Sequence, residues 1–197
     1  MAAQIAKPNS LISTVLPETA SDRTWAYVAL ALLGTVVLYA SAKVSVPFYP
    51  VPMTLQTMAI VMIAAAYGWR LGLATIVLYL AEGAIGLPVF SGTPEKGVGL
   101  AYMMGTTGGY LLGFILQTAI VGWFAERGGD RQPVRMFLVM AAADAIVIAL
   151  GYLWLSRMIG TDKALAFGVI PFLLGDAFKI AIAALAVWAG NSWFRRV

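Results

Sequence analysis

Asp176 and Lys179 are charges placed where charge is costly, within Gly175-Asp-Ala-Phe-Lys179 inside a long apolar run. Three residues apart, they share one face of a helix. A charged side chain at the centre of a spanning helix costs about 2.5–3.5 kcal/mol on insertion scales, and pairing lowers that cost. One reading is a polar-ligand site, in which Asp176 accepts N–H bonds and Lys179 donates to a carbonyl or carboxylate. The other is a structural ion pair, or a Lys179 that reaches the interface along its aliphatic stem. Asp144 lies in mid-run of another apolar stretch with no cation near it in sequence. It can anchor a neighbouring helix by a hydrogen bond, be protonated, or meet a ligand. Glu82 stands near the end of a third run, where an interfacial role suits it. Gln56 follows a proline-rich stretch and offers its amide to a ligand or to a helix end. Tyr110 sits among Gly105, Gly109 and Gly113, a spacing that lets helices approach closely, and its ring can line a pocket.

The rest of the composition narrows what these groups can do. The chain has 197 residues, 61% apolar and 11% charged, against about 25% charged in an ordinary soluble domain. So little polar surface cannot cover a water-soluble fold of this size, so the expected surroundings are a lipid bilayer. There is no Cys and no His. That excludes thiolate nucleophiles, Ser–His and Cys–His triads and the usual zinc sites. No G-x-x-x-x-G-K-[ST] stretch is present, so any ATP must be bound by another chain. No cofactor and no enzymatic activity are expected. The basic residues are scattered at segment ends, which suits interfacial anchoring and argues against a nucleic-acid partner.

Six apolar segments must position the polar groups, and the expected fold is all-α with six transmembrane helices. They run Trp25–Ala42, Met53–Trp69, Leu71–Leu87, Tyr102–Ala125, Met136–Ser156 and Ile170–Trp188. Residues 1–22 read as a loose or interfacial tail, and residues 23–197 as one domain. Asp22-Arg23-Thr24 is read as the start of the first helix, and Arg70 as the interruption between the second and third spans. Loop one, Lys43–Pro52, holds three prolines in ten residues and cannot be ordinary helix. Loop three, Gly86–Leu100, is broken by Gly and Pro. Glu126–Arg135 is the most charged stretch, and Arg157–Ala164 reads as a further loop. With six spans, one side carries eight Lys and Arg and the other four, with Lys179 inside a span. The positive-inside bias then places both termini in the cytoplasm and loops one and three outside.

Three stretches together resemble the BioY family: Pro47–Gln56 (PFYPVPMTLQ), Gly86–Gly113 (GLPVFSG through GTTGGYLLG) and Gly175–Lys179 (GDAFK). BioY proteins are the substrate-binding S components of energy-coupling factor (ECF) biotin transporters. The resemblance implies an ECF S-component fold in a bacterial inner membrane that captures biotin from outside. It implies a transmembrane coupling protein and two ABC-type ATPases as partners. It assigns Asp176 and Lys179 to the biotin head group, and Tyr49, Pro50, Val51, Val89, Phe90 and Ser91 to the loops that cover the pocket. Family members can place an Asn in loop three to bind the ureido ring. Here the only Asn residues are Asn9 and Asn191, so Thr93 or a backbone group has to replace it. Small residues four apart on the first helix often dock the coupling protein, and the nearest match here is Ala31/Thr35 with Gly34 beside it. The competing reading is a stand-alone proton- or ion-coupled carrier with Asp144 or Glu82 as relay.

Overall fold

The computed structural model describes residues 19–194. Most of the expected tail, and Arg195-Arg196, lie outside the described residues. In chain order the elements are α1 (Ala20–Lys43), β1 (Ser45–Val46), β2 (Met53–Thr54), α2 (Gln56–Ala84), α3 (Gly99–Met103), α4 (Gly108–Glu126), α5 (Pro133–Ile159), α6 (Thr161–Gly168) and α7 (Ile170–Phe194). A 3-10 turn, Gly129–Arg131, joins α4 to α5. Among the described residues, five helical segments are long and apolar enough to cross a membrane. They are Ser21–Lys43, Gln56–Ala84, Gly108–Glu126, Pro133–Ile159 and Thr161–Ser192. Large apolar side chains such as Leu174, Phe178 and Val36 face outward, which water would penalise and lipid does not.

The α2 segment is one helix by residue count but two by direction. Gly68 has φ 78° and ψ 176°, outside any helical conformation. A straight helix would separate Gln56 from Tyr79 by about 35 Å, yet the Gln56 Nε2 group donates to the Tyr79 hydroxyl at 2.8 Å. Likewise a Cβ on Gly72 would lie 3.5 Å from the Cα of Ala64. The two arms therefore run antiparallel. The break falls at Gly68 rather than at the expected Arg70, because the reversal needs a positive φ that only glycine adopts freely. Glu126, at the end of α4, fits into the break. Its carboxylate accepts from the Trp69 N–H at 3.1 Å and fills the space a Gly68 side chain would need. Arg70 lies inside the second arm, with its guanidinium 5.2 Å from the Trp69 ring centre.

Other boundaries differ from expectation for local reasons. α1 starts at Ala20, directly after Thr19, rather than at Asp22–Thr24, and takes in residues assigned to the tail. The strictly all-α expectation needs amendment, because β1 and β2 pair antiparallel, Ser45 with Thr54 and Val46 with Met53. Proline bars helix from loop one but leaves its two ends free to pair. The span expected from Tyr102 is divided: α3 ends at Met103, and a turn through Gly105 precedes α4. The expected loop Arg157–Ala164 is largely helical. Gly160, at φ 86°, ends α5, and α6 begins at the next residue.

Glycines set the closest helix contacts. A Cβ on Gly113 would stand 2.7 Å from the Cα of Val147 on α5, and one on Gly122 would meet the backbone at Trp69. These contacts are dispersion-driven packing with no room for a methyl group. On α1, Gly34 faces Thr75 and Tyr67 of α2, and Ala31 and Thr35 are buried. The stripe expected to dock a partner is therefore covered within the chain.

Candidate functional site

One cavity gathers most of the polar groups that the sequence singles out. It has about 560 Å³ of empty space between its walls, part of it continuous with the exterior. Loop one supplies Val51 and Pro52, and loop three supplies Phe90 and Ser91. The helices supply Gln56 and Thr57 from α2, Tyr110 and Phe114 from α4, Asp144 and Val147 from α5, and Phe172 and Asp176 from α7. Six expected site residues therefore share one wall: Asp176, Gln56, Phe90, Tyr110, Val51 and Asp144. Lys179 stands one step behind it, and Tyr49 is 83% exposed and outside it.

The charged end is built from α7 and the start of α2. Asp176 and Lys179 form an ion pair, both buried. The Lys179 ammonium also donates to the Thr54 carbonyl at 2.8 Å, tying α7 to the ribbon that closes loop one. Thr57 lines the same cavity beside the Asp176 carboxylate. Asp176 Oδ1 is sealed from solvent and touches Lys179 without hydrogen-bond geometry, so it retains capacity to accept from a ligand N–H. Asp144 accepts from Gln117 Nε2 at 3.2 Å across α4 and α5 while also lining the cavity. Both readings open for Asp144 in the sequence, helix anchor and ligand contact, are thus geometrically available to it.

Loop three is fastened at several points. The Tyr79 hydroxyl, itself held by Gln56, donates to the Val89 carbonyl at 2.8 Å. Tyr102 donates to the Ser91 carbonyl at 2.6 Å; burial pushes its hydroxyl above the usual tyrosine range, which keeps it a donor. Phe90 stacks on Tyr102 with ring centres 5.0 Å apart and meets Tyr79 edge-on at 5.4 Å. Lys43, at the end of α1, donates to the Phe90 carbonyl at 3.1 Å and to the Thr93 carbonyl at 2.8 Å. Thr93 spends its hydroxyl on Lys43 and Phe90 and does not reach the cavity; Ser91 does. Tyr110 donates to the Gly168 carbonyl at 2.7 Å and stacks on Phe172, so it presents its ring, not its hydroxyl, to the cavity. Thr57, Tyr102, Phe114 and Phe172 went unremarked in the sequence because isolated Thr and aromatic residues in apolar helices carry no spacing signal. Only Thr57, beside Gln56, had a neighbour that could have drawn notice.

This arrangement combines buried acceptors and a cation at one end with an aromatic and aliphatic wall. It suits a small molecule with a polar N–H-bearing head and an apolar body. Nothing in it is arranged as a nucleophile and base.

A sequence model described as the BioY family matches residues 14–196. A probable biotin transporter BioY from Pyrococcus horikoshii is 34% identical over 158 residues, covering 80% of this chain and 91% of that protein. The biotin transporter BioY of Thermotoga maritima is 35% identical over 153 residues, covering 77% and 87%. Among solved structures, the S-component for biotin from an ECF-type ABC transporter superposes with a TM-score of 0.76. That match covers 88% of this chain and 95% of the other at 22% identity, and it shows a shared fold.

Proposed function

We propose, from the premise that this chain belongs to the BioY family, that it is a membrane-embedded S component that binds biotin and serves its uptake. It is a transport protein rather than an enzyme, and biotin is its cargo rather than a cofactor. The observation that carries this reading is the buried Asp176–Lys179 pair beside a wall supplied by two loops. A ureido ring offers two N–H donors and one strong acceptor, which a carboxylate and an ammonium on one helix face complement. The thioether ring and chain suit Phe90, Phe114, Phe172 and Val51. Buried polar groups left unpaired by a wrong ligand supply the discrimination.

Finer features belong to the same reading. Counting the two arms of α2 separately gives six spans, with both termini cytoplasmic and loops one and three outside, in a bacterial inner membrane. The arms are short: residues 56–67 extend about 18 Å and residues 69–84 about 24 Å, against about 30 Å of hydrocarbon. The first arm is largely buried and the second buries one face, so packing rather than lipid surrounds much of the first. Asp176, Lys179, Gln56 and Asp144 form the head-group end, and Phe90, Tyr110 and Val51 enclose the body. Tyr49 joins the site only if loop one moves. Delivery across the membrane requires a transmembrane coupling protein and two ABC-type ATPases, because the chain has no phosphate-binding loop.

The test is equilibrium binding of labelled biotin to the purified chain, competed with thiamine and riboflavin. Saturable binding displaced by unlabelled biotin, and not by the other two vitamins, is expected. Equal displacement by all three would remove the biotin assignment.

A further inference from the structure

The inner end of the cavity offers a ligand no uncommitted cation. Asp176 and Lys179 neutralise each other, and Asp144 brings a further carboxyl group to the same cavity. A ligand carboxylate finds no free partner there, because Lys179 is committed to Asp176 and the Thr54 carbonyl, and needs a cation elsewhere. Four cations belong to the connections on the loop one and loop three side in the six-span arrangement: Lys43, Lys96, Arg157 and Lys163. Lys43 is committed to the Phe90 and Thr93 carbonyls. Arg157 and Lys163 line neither the site cavity nor the one beside it.

Lys96 is different. It lines a second, open cavity that shares Pro52, Tyr102 and Thr107 with the first and so adjoins it. Gly92, at φ 74°, lets the Lys96 stem lie flat across loop three; a Cβ there would come within 2.9 Å of Lys96 Cδ. Its ammonium makes no ion pair among the described residues, even with adjacent Glu95. We infer that Lys96 is the specificity residue of this adjoining cavity and binds the carboxylate of the ligand's tail. The inference rests on the biotin reading, in which that carboxylate ends the valerate chain. The head enters first, towards Asp176 and Lys179, and the tail anion stays in the open adjoining cavity, where partial hydration lowers the cost of holding it. Thr107, which lines both cavities, is placed to add a hydroxyl donor.

The test pairs two ligands with three proteins: biotin and biotin methyl ester against the full-length wild type, Lys96→Met and Lys96→Arg. The wild type is expected to prefer biotin over the ester by roughly two- to fivefold at low salt, because an exposed pair is modest in strength. That preference should shrink at high salt. In Lys96→Met it should fall to about one, through loss of biotin affinity alone, while Lys96→Arg retains it. Unchanged ester affinity in Lys96→Met shows that the pocket is intact. Equal loss for both ligands, or no loss for either, overturns the assignment of Lys96 while leaving biotin binding standing. A wild type that binds neither ligand removes the biotin reading itself, and the Lys96 assignment with it.

Discussion

Deleting the charge of Asp176 leaves the buried Lys179 ammonium with only the Thr54 carbonyl to hold it. Removing one partner of a buried pair typically costs about 3–5 kcal/mol, whereas replacing both with apolar groups is often neutral. Asp176→Asn is therefore expected to lower both thermal stability and biotin affinity, the latter by about 10- to 100-fold from one charge-assisted bond of about 1.5–3 kcal/mol. Adding Lys179→Met should restore the unfolding temperature without restoring biotin affinity. Stability and binding that recover together would mean the pair acts only through the fold. Asp144→Asn keeps an oxygen for Gln117 to donate to and should cost less than about tenfold in affinity, an effect under 1.4 kcal/mol. Complete loss in an equilibrium binding assay would place Asp144 in direct contact with the head group. The Asp176–Lys179 face was legible in the sequence because charge in an apolar run is scarce. Their surroundings were not legible, since Thr54 contributes only a backbone carbonyl, which no residue type announces, and a threonine such as Thr57 costs little in such a run.

Among elements, the α4–α5 contact transmits packing directly to the cavity. Val147 lines the cavity, and its backbone is what a methyl group on Gly113 would strike. Gly113→Ala is expected to destabilise the protein by about 1–3 kcal/mol, because a backbone cannot yield as a side chain can. Biotin affinity should fall with it, in paired thermal-unfolding and binding measurements. Loop three gives a second case. Lys43→Met keeps the aliphatic stem and removes the ammonium that holds Phe90 and Thr93. Amide hydrogen exchange over residues 89–93 should quicken by about tenfold while α4 and α5 are unaffected, the behaviour of a local opening. Helix positions were largely readable from apolar run length. The reversal was misplaced by two residues because Arg70 is the conspicuous interruption, whereas Gly68 supplies the backbone conformation. The β1–β2 ribbon was missed because two-residue strands leave no periodicity to read.

At the scale of the molecule, six spans with inward termini predict that single cysteines report orientation cleanly, as the native chain has none. Cysteines placed at Arg131 and at Lys96 should react with an impermeant thiol reagent from opposite sides of sealed vesicles. Reaction from the same side would mean that α4 does not cross the membrane. Sustained uptake should require the ATP-hydrolysing partners; uptake by this chain alone that collapses with the proton gradient would favour the coupled-carrier reading. One tie within the fold bears on how such partners reach the ligand. α1 packs mainly on α2 and shows much of its surface to the surroundings. Its last turn nevertheless holds loop three through Lys43 and meets loop one where the Leu55 N–H donates to the Val44 carbonyl at 3.1 Å. α1 is thus a lever with its long arm in the bilayer and its short arm fixed to both covers of the pocket. A tilt imposed anywhere along its outer face must pull on those covers or break their hydrogen bonds.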